Sequence, residues 1–221
     1  KYYGVHTSCQ AAAEVLDRYQ HEGQIRAETC THYTALNDSV YADLGDLPRI
    51  APPIRPKDDV EAIFEYLRRG TLSVVSTDHV AQSAQAKSDS EWWEGPYGAN
   101  GLQVSLPVFH HQAVVERDFS YPFLVRTMAT NPAATFGLED KGTLEPGTDA
   151  DIVVFDPSSR EEIDAANNAS VADHSIYQGM EVEGAVTKTF VRGTLVADDR
   201  TVTASPGHGE FIERDVPNWN E

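Results

Sequence analysis

The 221-residue chain carries 35 Asp and Glu against 17 Lys and Arg, a formal net charge of −18, over an ordinary hydrophobic content of 40%. Such a surface repels nucleic-acid phosphates and anionic membranes, so neither is expected as a partner. The acidic residues are spread over both halves instead of forming one block, which speaks against a disordered acidic tail and for a salt-adapted protein.

Two cysteines, Cys9 and Cys30, are joined by no motif and read as free thiols of a reducing, cytoplasmic compartment. No signal peptide or apolar run of membrane length is visible. The chain opens at Lys1 and runs at once into the strand-like Tyr2–Val5, as though it began inside a domain, so a partner segment is expected elsewhere.

In chain order, Tyr2–Val5 predicts a strand ending at His6. Ala11, Ala12, Val15, Leu16 and Tyr19 then recur at helical spacing, predicting an amphipathic helix to about His21. A second strand, Gln24–Glu28, leads to His32. Pro48–Arg55 is too rich in proline for a helix and reads as a short strand entering a rigid turn. Asp58 and Asp59 open a helix carrying Val60, Ile63, Phe64 and Leu67, which Gly70 closes. Leu72, Val74 and Val75 form a buried strand that ends abruptly in Ser76, Thr77, Asp78 and His79. Taken alone, Asp78 and His79 read more readily as caps of the following turn than as a site.

Four strand-plus-connector units in a row predict an α/β architecture with a parallel sheet, half of an eight-stranded barrel. The polar residues that follow the strands, His6, His32, the Ala51–Arg55 turn and Asp78, would then meet on one face. Two imidazoles and a carboxylate at that face suit zinc or a similar divalent ion.

Beyond Asp78 the chain is polar from Gln82 to Glu91. Trp92, Trp93 and the Gly-rich stretch Gly98–Gly101 then read as a ligand-covering loop or as a surface loop with its tryptophans tucked inward. Helical patterns follow at Pro107–Arg117 and Pro122–Phe136. His110 and His111, adjacent on the first of these, are expected to diverge, leaving at least one solvated. From Lys141 to about Val202 the turn residues and apolar runs predict part of a small β domain, and 203–221 an extended arm.

These segments carry a resemblance. Val5-His-Thr-Ser8, Ala27-Glu-Thr-Cys-Thr-His-Tyr33, Ala51-Pro-Pro-Ile-Arg55, Ser76-Thr-Asp-His79, Gly98-Ala-Asn-Gly101, Asn131-Pro-Ala-Ala134, the run Lys141–Asp151, Tyr177–Gly184 and the Gly-His-Gly-Glu-Phe tail occur in order over nearly the whole chain. Together they resemble the C-terminal part of the dihydropyrimidinase and hydantoinase family of cyclic amidohydrolases, relatives of allantoinase and dihydroorotase. The resemblance implies residues 1–140 as the C-terminal half of a (β/α)8 barrel, 141–202 as part of a β-sandwich and 203–221 as an arm. It implies a hydrolase opening the C–N bond of a cyclic amide such as a hydantoin or dihydropyrimidine, with two metal ions, zinc in most members. His6 and His32 would ligate one metal. Asp78 would ligate the other and shuttle the proton from an attacking hydroxide to the leaving nitrogen.

Backbone groups at Ala51 and Asn100 would hold the substrate's imide edge, with His79 behind the ligands. A bridging lysine and two further histidines of the family have no counterpart here, Lys1 being at the start of a strand, and are expected on a preceding segment. The complete protein is expected to be a homo-oligomer acting on a small cyclic amide. Gly101-Leu-Gln103 leans toward allantoinase, whereas Gly98-Ala-Asn-Gly101 and the Gly179-Met-Glu-Val182 segment lean toward dihydropyrimidinase or hydantoinase, and the lack of Pro-His after Asp78-His79 leans away from dihydroorotase. A non-catalytic scaffold relative is the other reading.

Overall fold

The computed structural model describes residues 1–88, 91–217 and 219. Its first part is built on three parallel strands, β1 (Tyr2–Gly4), β2 (Ile25–Cys30) and β3 (Val74–Ser76), in the order β1-β2-β3. The middle strand serves its two neighbours with different halves. Ile25, Arg26 and Ala27 pair with β1, whereas Glu28, Thr29 and Cys30 pair with β3. Helix α1 (Gln10–Tyr19) links β1 to β2. Helices α2 (Thr31–Ala35), α3 (Val40–Leu44) and α4 (Lys57–Arg69) link β2 to β3.

The expected strand at Pro48–Arg55 is not formed, so the sheet has three strands at this point and β2 pairs directly with β3. The reason lies in the prolines at 48, 52, 53 and 56, which remove the N–H groups a ladder requires. The segment is held by other bonds instead. The Tyr33 hydroxyl donates to the Pro52 carbonyl at 2.6 Å, Ile54 N–H to the Tyr41 hydroxyl at 2.8 Å and Asp38 N–H to the Arg55 carbonyl at 3.0 Å.

Helix α4 forms as its sequence dictates. Asp58 and Asp59 lie in the first turn, Arg68 and Arg69 in the last, matching the helix dipole, and Gly70 terminates it in the left-handed conformation at φ +84°. Its buried stripe, Val60, Ile63, Phe64 and Leu67, joins Leu72, Val75 and Phe109 in one apolar core. That core extends to Ala113 and Phe123 of the next helical hairpin, which runs through α5 to α8 as follows.

After β3 come α5 (Ala84–Ser88), then α6 (Ser105–His110), which continues as a π-turn over His111–Val115. Next are α7 (Tyr121–Val125), a second π-turn at Arg126–Thr130, and α8 (Asn131–Phe136). The Ser120 hydroxyl caps α7 by accepting from Phe123 N–H. The Asn131 amide donates to the Ser73 carbonyl at 2.7 Å, tying α8 to the approach of β3.

The second part is an antiparallel sheet, β4 (Ile152–Glu162), β5 (Glu181–Val191), β6 (Thr194–Asp198) and β7 (Thr201–Val202), in sequential order. Lys141 bridges Asp149 at 2.7 Å and Asp151, folding the turn that feeds β4. A second core, with Cys30, Tyr33, Ile50, Val108, Tyr177 and Val182, joins this sheet to the first part.

The histidine pair at 110 and 111 corrects the expectation of divergence. Both rings reach one residue of β5: His110 Nδ1 meets the Glu183 carbonyl at 2.7 Å, and His111 Nδ1 accepts from Glu183 N–H at 3.2 Å. The π-turn beginning at His111 lies where this double contact is made, and His110 is fully buried. Trp92 and Trp93 stack edge to face at 5.7 Å and stay more than half exposed, so they are not tucked inward. The C-terminal arm returns to the first sheet. Asp215 N–H donates to the Gly137 carbonyl at 3.1 Å, and the Trp219 indole lies 5.4 Å from the Arg26 guanidinium.

Candidate metal and substrate site

Each of the expected ligands sits where a strand gives out. His6 follows β1 and Asp78 follows β3, both with left-handed backbone, at φ +38° and +44°, which non-glycine residues adopt at an energetic cost. His32 lies in the first turn of α2, directly after β2. Topology therefore collects all three at the same end of the parallel sheet.

His32 is buried, and burial together with the neighbouring His6 pushes its imidazole down to about 3, so it stays neutral and able to ligate. Its Nε2 and the Nδ1 of His6 are both buried and find no hydrogen-bond partner among the described residues. A buried polar atom without a partner costs free energy unless something fills the place, and a cation would do so for both nitrogens.

Asp78 is exposed. Its charge is felt by the Cys30 thiol, which burial above all pushes up to about 12, and by the Tyr33 hydroxyl, so it stands close to the end of β2. No group of three or more His, Cys, Asp or Glu side chains able to hold a metal is found among the described residues. His6 and His32 thus fit a cation as a pair, while these three side chains do not close a complete ligand set between them.

A carboxylate that the sequence reading passed over connects the three strands. Glu28, on β2, accepts from the Tyr3 hydroxyl of β1 at 2.8 Å, from the Ser76 hydroxyl of β3 at 2.9 Å and from His6 N–H at 3.4 Å. Burial and the Glu28 charge raise the Tyr3 hydroxyl well above its usual range, so it remains a donor. A charged residue in the middle strand of a buried sheet is the signal that could have revealed it.

The two segments expected to hold substrate also come together. Gly98 N–H donates to the Arg49 carbonyl at 3.1 Å, next to Ala51 on one segment and Asn100 on the other. Asn100 is buried, and its side-chain oxygen has no partner among the described residues. Ala51 is exposed at a cis peptide bond to Pro52. His79 links this region to the strand end. Its Nδ1 accepts from Gly101 N–H at 3.1 Å and Leu102 N–H at 3.2 Å, while Val80 N–H donates to the Ala99 carbonyl at 2.9 Å. His79 Nδ1 thus serves as the acceptor that holds this loop.

His6 also lines a groove of about 620 Å³ beside β1, with Tyr2, Val5, Val15, Pro52 and Arg55. A second depression of about 420 Å³, lined by Thr194, Thr203 and His208, contains none of the candidate residues.

The sequence profile of the amidohydrolase family matches residues 3–196. An L-hydantoinase from Paenarthrobacter aurescens is 31% identical over 95% of this chain and 47% of its own length. A dihydroorotase from Geobacter metallireducens is 36% identical over 86% of this chain and 45% of its own. Among solved structures, dihydropyrimidinase from Brevibacillus agri NCHU1002 superposes with a TM-score of 0.92 at 26% identity, over 98% of this chain and 49% of that one. The chain thus spans about half the length of the relatives it matches. With a family-wide profile covering most of its residues, the chain belongs to the amidohydrolase family.

Proposed function

We propose that this chain supplies part of the catalytic site of a metal-dependent hydrolase that opens a small cyclic amide, a hydantoin, a dihydropyrimidine or a related ring. The observation that carries the reading is the pair of buried, unpartnered imidazole nitrogens on His6 and His32 at the ends of adjacent parallel strands. A scaffold that had abandoned metal would have no use for two orphaned nitrogens, whose burial is costly. In this reading residues 1–140 form half of a (β/α)8 barrel and 141–202 part of a β-sandwich. The similarity to a dihydropyrimidinase structure over nearly the whole chain supports that division.

His6 and His32 would hold one divalent ion, and Asp78 would contribute to a second. Zinc suits this donor set, and further ligands would come from outside these residues. Bound there, the metal ions would lower the pKa of water and polarise the ring carbonyl.

This chain's own residues would do the rest. Asp78, exposed at the strand end, takes the proton of the attacking water and returns it to the ring nitrogen as the C–N bond breaks. His79, oriented by the Gly101 and Leu102 amides, holds the 98–102 loop against the strand end that carries Asp78. Backbone groups at Ala51 and Asn100 hold the imide edge and fix the ring for attack. Relatives named hydantoinase, dihydroorotase and dihydropyrimidinase match this chain comparably, so the reading stops at the cyclic amide class.

The test is turnover by the complete, metal-loaded protein on a panel of hydantoin, dihydrouracil, dihydroorotate and allantoin. Hydrolysis of at least one, abolished in both His6→Ala and His32→Ala variants, is expected. A double variant scarcely worse than either single one is also expected, because ligands of one metal act as a unit. Additive losses would contradict a shared site.

A further inference from the structure

Lys87 is the most deeply buried cation among the described residues, with no exposed surface. It lies on α5, in a polar stretch that gave no sequence signal. Its ammonium donates to the carbonyl of Arg49 at 3.1 Å and to the carbonyl of Gly98. The Arg49 guanidinium returns a bond to the Lys87 carbonyl at 2.5 Å, and Gly98 N–H closes the ring on the Arg49 carbonyl at 3.1 Å. Two buried cations thus join two loops through backbone carbonyls. Burying an ammonium is expensive, and a carbonyl repays less than a carboxylate would, so the arrangement stabilises geometry more than it adds stability.

The loops so joined are the substrate-facing ones. Ala51 follows Arg49 by two residues, and Asn100 follows Gly98 by two. On its other side the 98–102 loop is fastened by His79 and Val80, next to Asp78. Gly98 itself lies tight against Val80. Its φ is +120°, and a Cβ there would lie 2.3 Å from Val80 Cβ.

We infer that Lys87 is a positioning residue for substrate: by holding the Arg49 and Gly98 carbonyls together, it fixes the distance between the Ala51 and Asn100 backbones and so determines how tightly the imide edge is bound. This rests on the hydrolase reading above for the identity of the substrate, while the brace itself stands on the hydrogen bonds alone.

The groups that face Lys87 set its titration. Burial first, then the Arg49 guanidinium, pushes its ammonium down to about 8. His174 also lies within its field, with Asp173 beside that ring. His174, itself held below its ordinary range chiefly by burial, stays neutral at neutral and alkaline pH. Because the closed brace holds this proton less readily than an ordinary ammonium does, opening the brace becomes harder as pH rises from about 8 toward 10.5.

The experiment combines hydrogen exchange and kinetics on the complete, metal-loaded protein. In Lys87→Met, amides of 49–55 and 98–102 should exchange about tenfold faster, with residues 1–33 and the metal content unchanged. KM for hydantoin should rise about tenfold with kcat within about twofold, a split that general destabilisation would not give. In the unsubstituted protein, protection of the same loops, corrected for intrinsic rates, should rise as pH passes above about 8, which keeps the inference testable if Lys87→Met does not fold.

Unchanged exchange in the variant, or protection independent of pH, would overturn the brace. Faster exchange with unchanged KM would overturn its role in substrate binding. If the unsubstituted protein turns over no hydantoin, KM is replaced by the Kd of hydantoin from calorimetry, with the same tenfold expectation. Absence of both binding and turnover there would refute the hydantoin assignment and the positioning role together, leaving the exchange result to judge the brace alone.

Discussion

Replacing Glu28 by Ala removes a carboxylate that touches all three strands of the parallel sheet. Its bonds from the Tyr3 and Ser76 hydroxyls are short, at 2.8 and 2.9 Å, and its bond from His6 N–H is long, at 3.4 Å. Hydrogen bonds to a charged acceptor are worth about 1.5–3 kcal/mol each. Ser76 keeps a second acceptor in the Thr29 carbonyl at 3.3 Å, but no other acceptor is seen for Tyr3 among the described residues. Counting Tyr3 in full, Ser76 at under half and His6 as minor gives a loss of about 3 kcal/mol. Glu28→Gln keeps one acceptor oxygen and should lose about 1 kcal/mol.

The same change loosens the turns that present His6 and Asp78, so metal affinity should fall about 10–100-fold, as for groups that orient ligands. Urea unfolding of the complete metal-free protein measures the first effect as a shift in midpoint at constant slope. Competition with a chelator measures the second. A loss below about 1 kcal/mol together with unchanged metal affinity would refute the argument that Glu28 ties the ligand-bearing strands.

Gly184→Ala forces a side chain at φ +110° against Phe155 Cζ at 2.3 Å and His110 Nδ1 at 2.7 Å, and should cost about 3 kcal/mol, read as a lowered thermal midpoint. His174 is held below its ordinary 6.5, chiefly by burial, against the pull of Asp173 and with help from Lys87. The unfolded chain then binds this proton more readily, so the associated stability is full above about 6.5 and is lost as pH falls below it; His174→Gln should flatten the urea midpoint against pH in that window. Strand β1 is an edge of its sheet with Tyr2 and Val5 exposed beside the groove, while β3 at the other edge has buried side chains. Residues 1–221 alone should therefore associate through β1, since screening limits charge repulsion to about 8 Å at physiological salt, and a monodisperse monomer by light scattering would contradict this.

Much of the first part was readable because its signals are local. The apolar stripe of α4 with Asp58 and Gly70 at its ends, and the apolar run before Asp78, each state their structure within a dozen residues. The register of the sheet was not readable. Nothing local says that β2 would divide its length between β1 and β3, whereas the prolines at 52 and 53 were a local signal against a ladder. Adjacent histidines on a helix were expected to part, yet both bonded to Glu183 across the junction with β5, a contact 72 residues distant for His111. The placement of His6, His32 and Asp78 at strand ends was legible, because each closely follows a strand. Glu28, Lys87 and Arg49 were not, because their roles consist of bonds to distant backbone and hydroxyl groups that carry no motif.

The most direct test of the central claim is the metal content of the complete protein after purification without chelator, measured together with its hydrolysis of the cyclic amide panel. The account predicts close to two divalent ions per subunit, loss of metal in His6→Ala and His32→Ala, and ring opening that returns with zinc after stripping. Less than about a tenth of an ion per subunit, with no turnover restored by added metal, would contradict it.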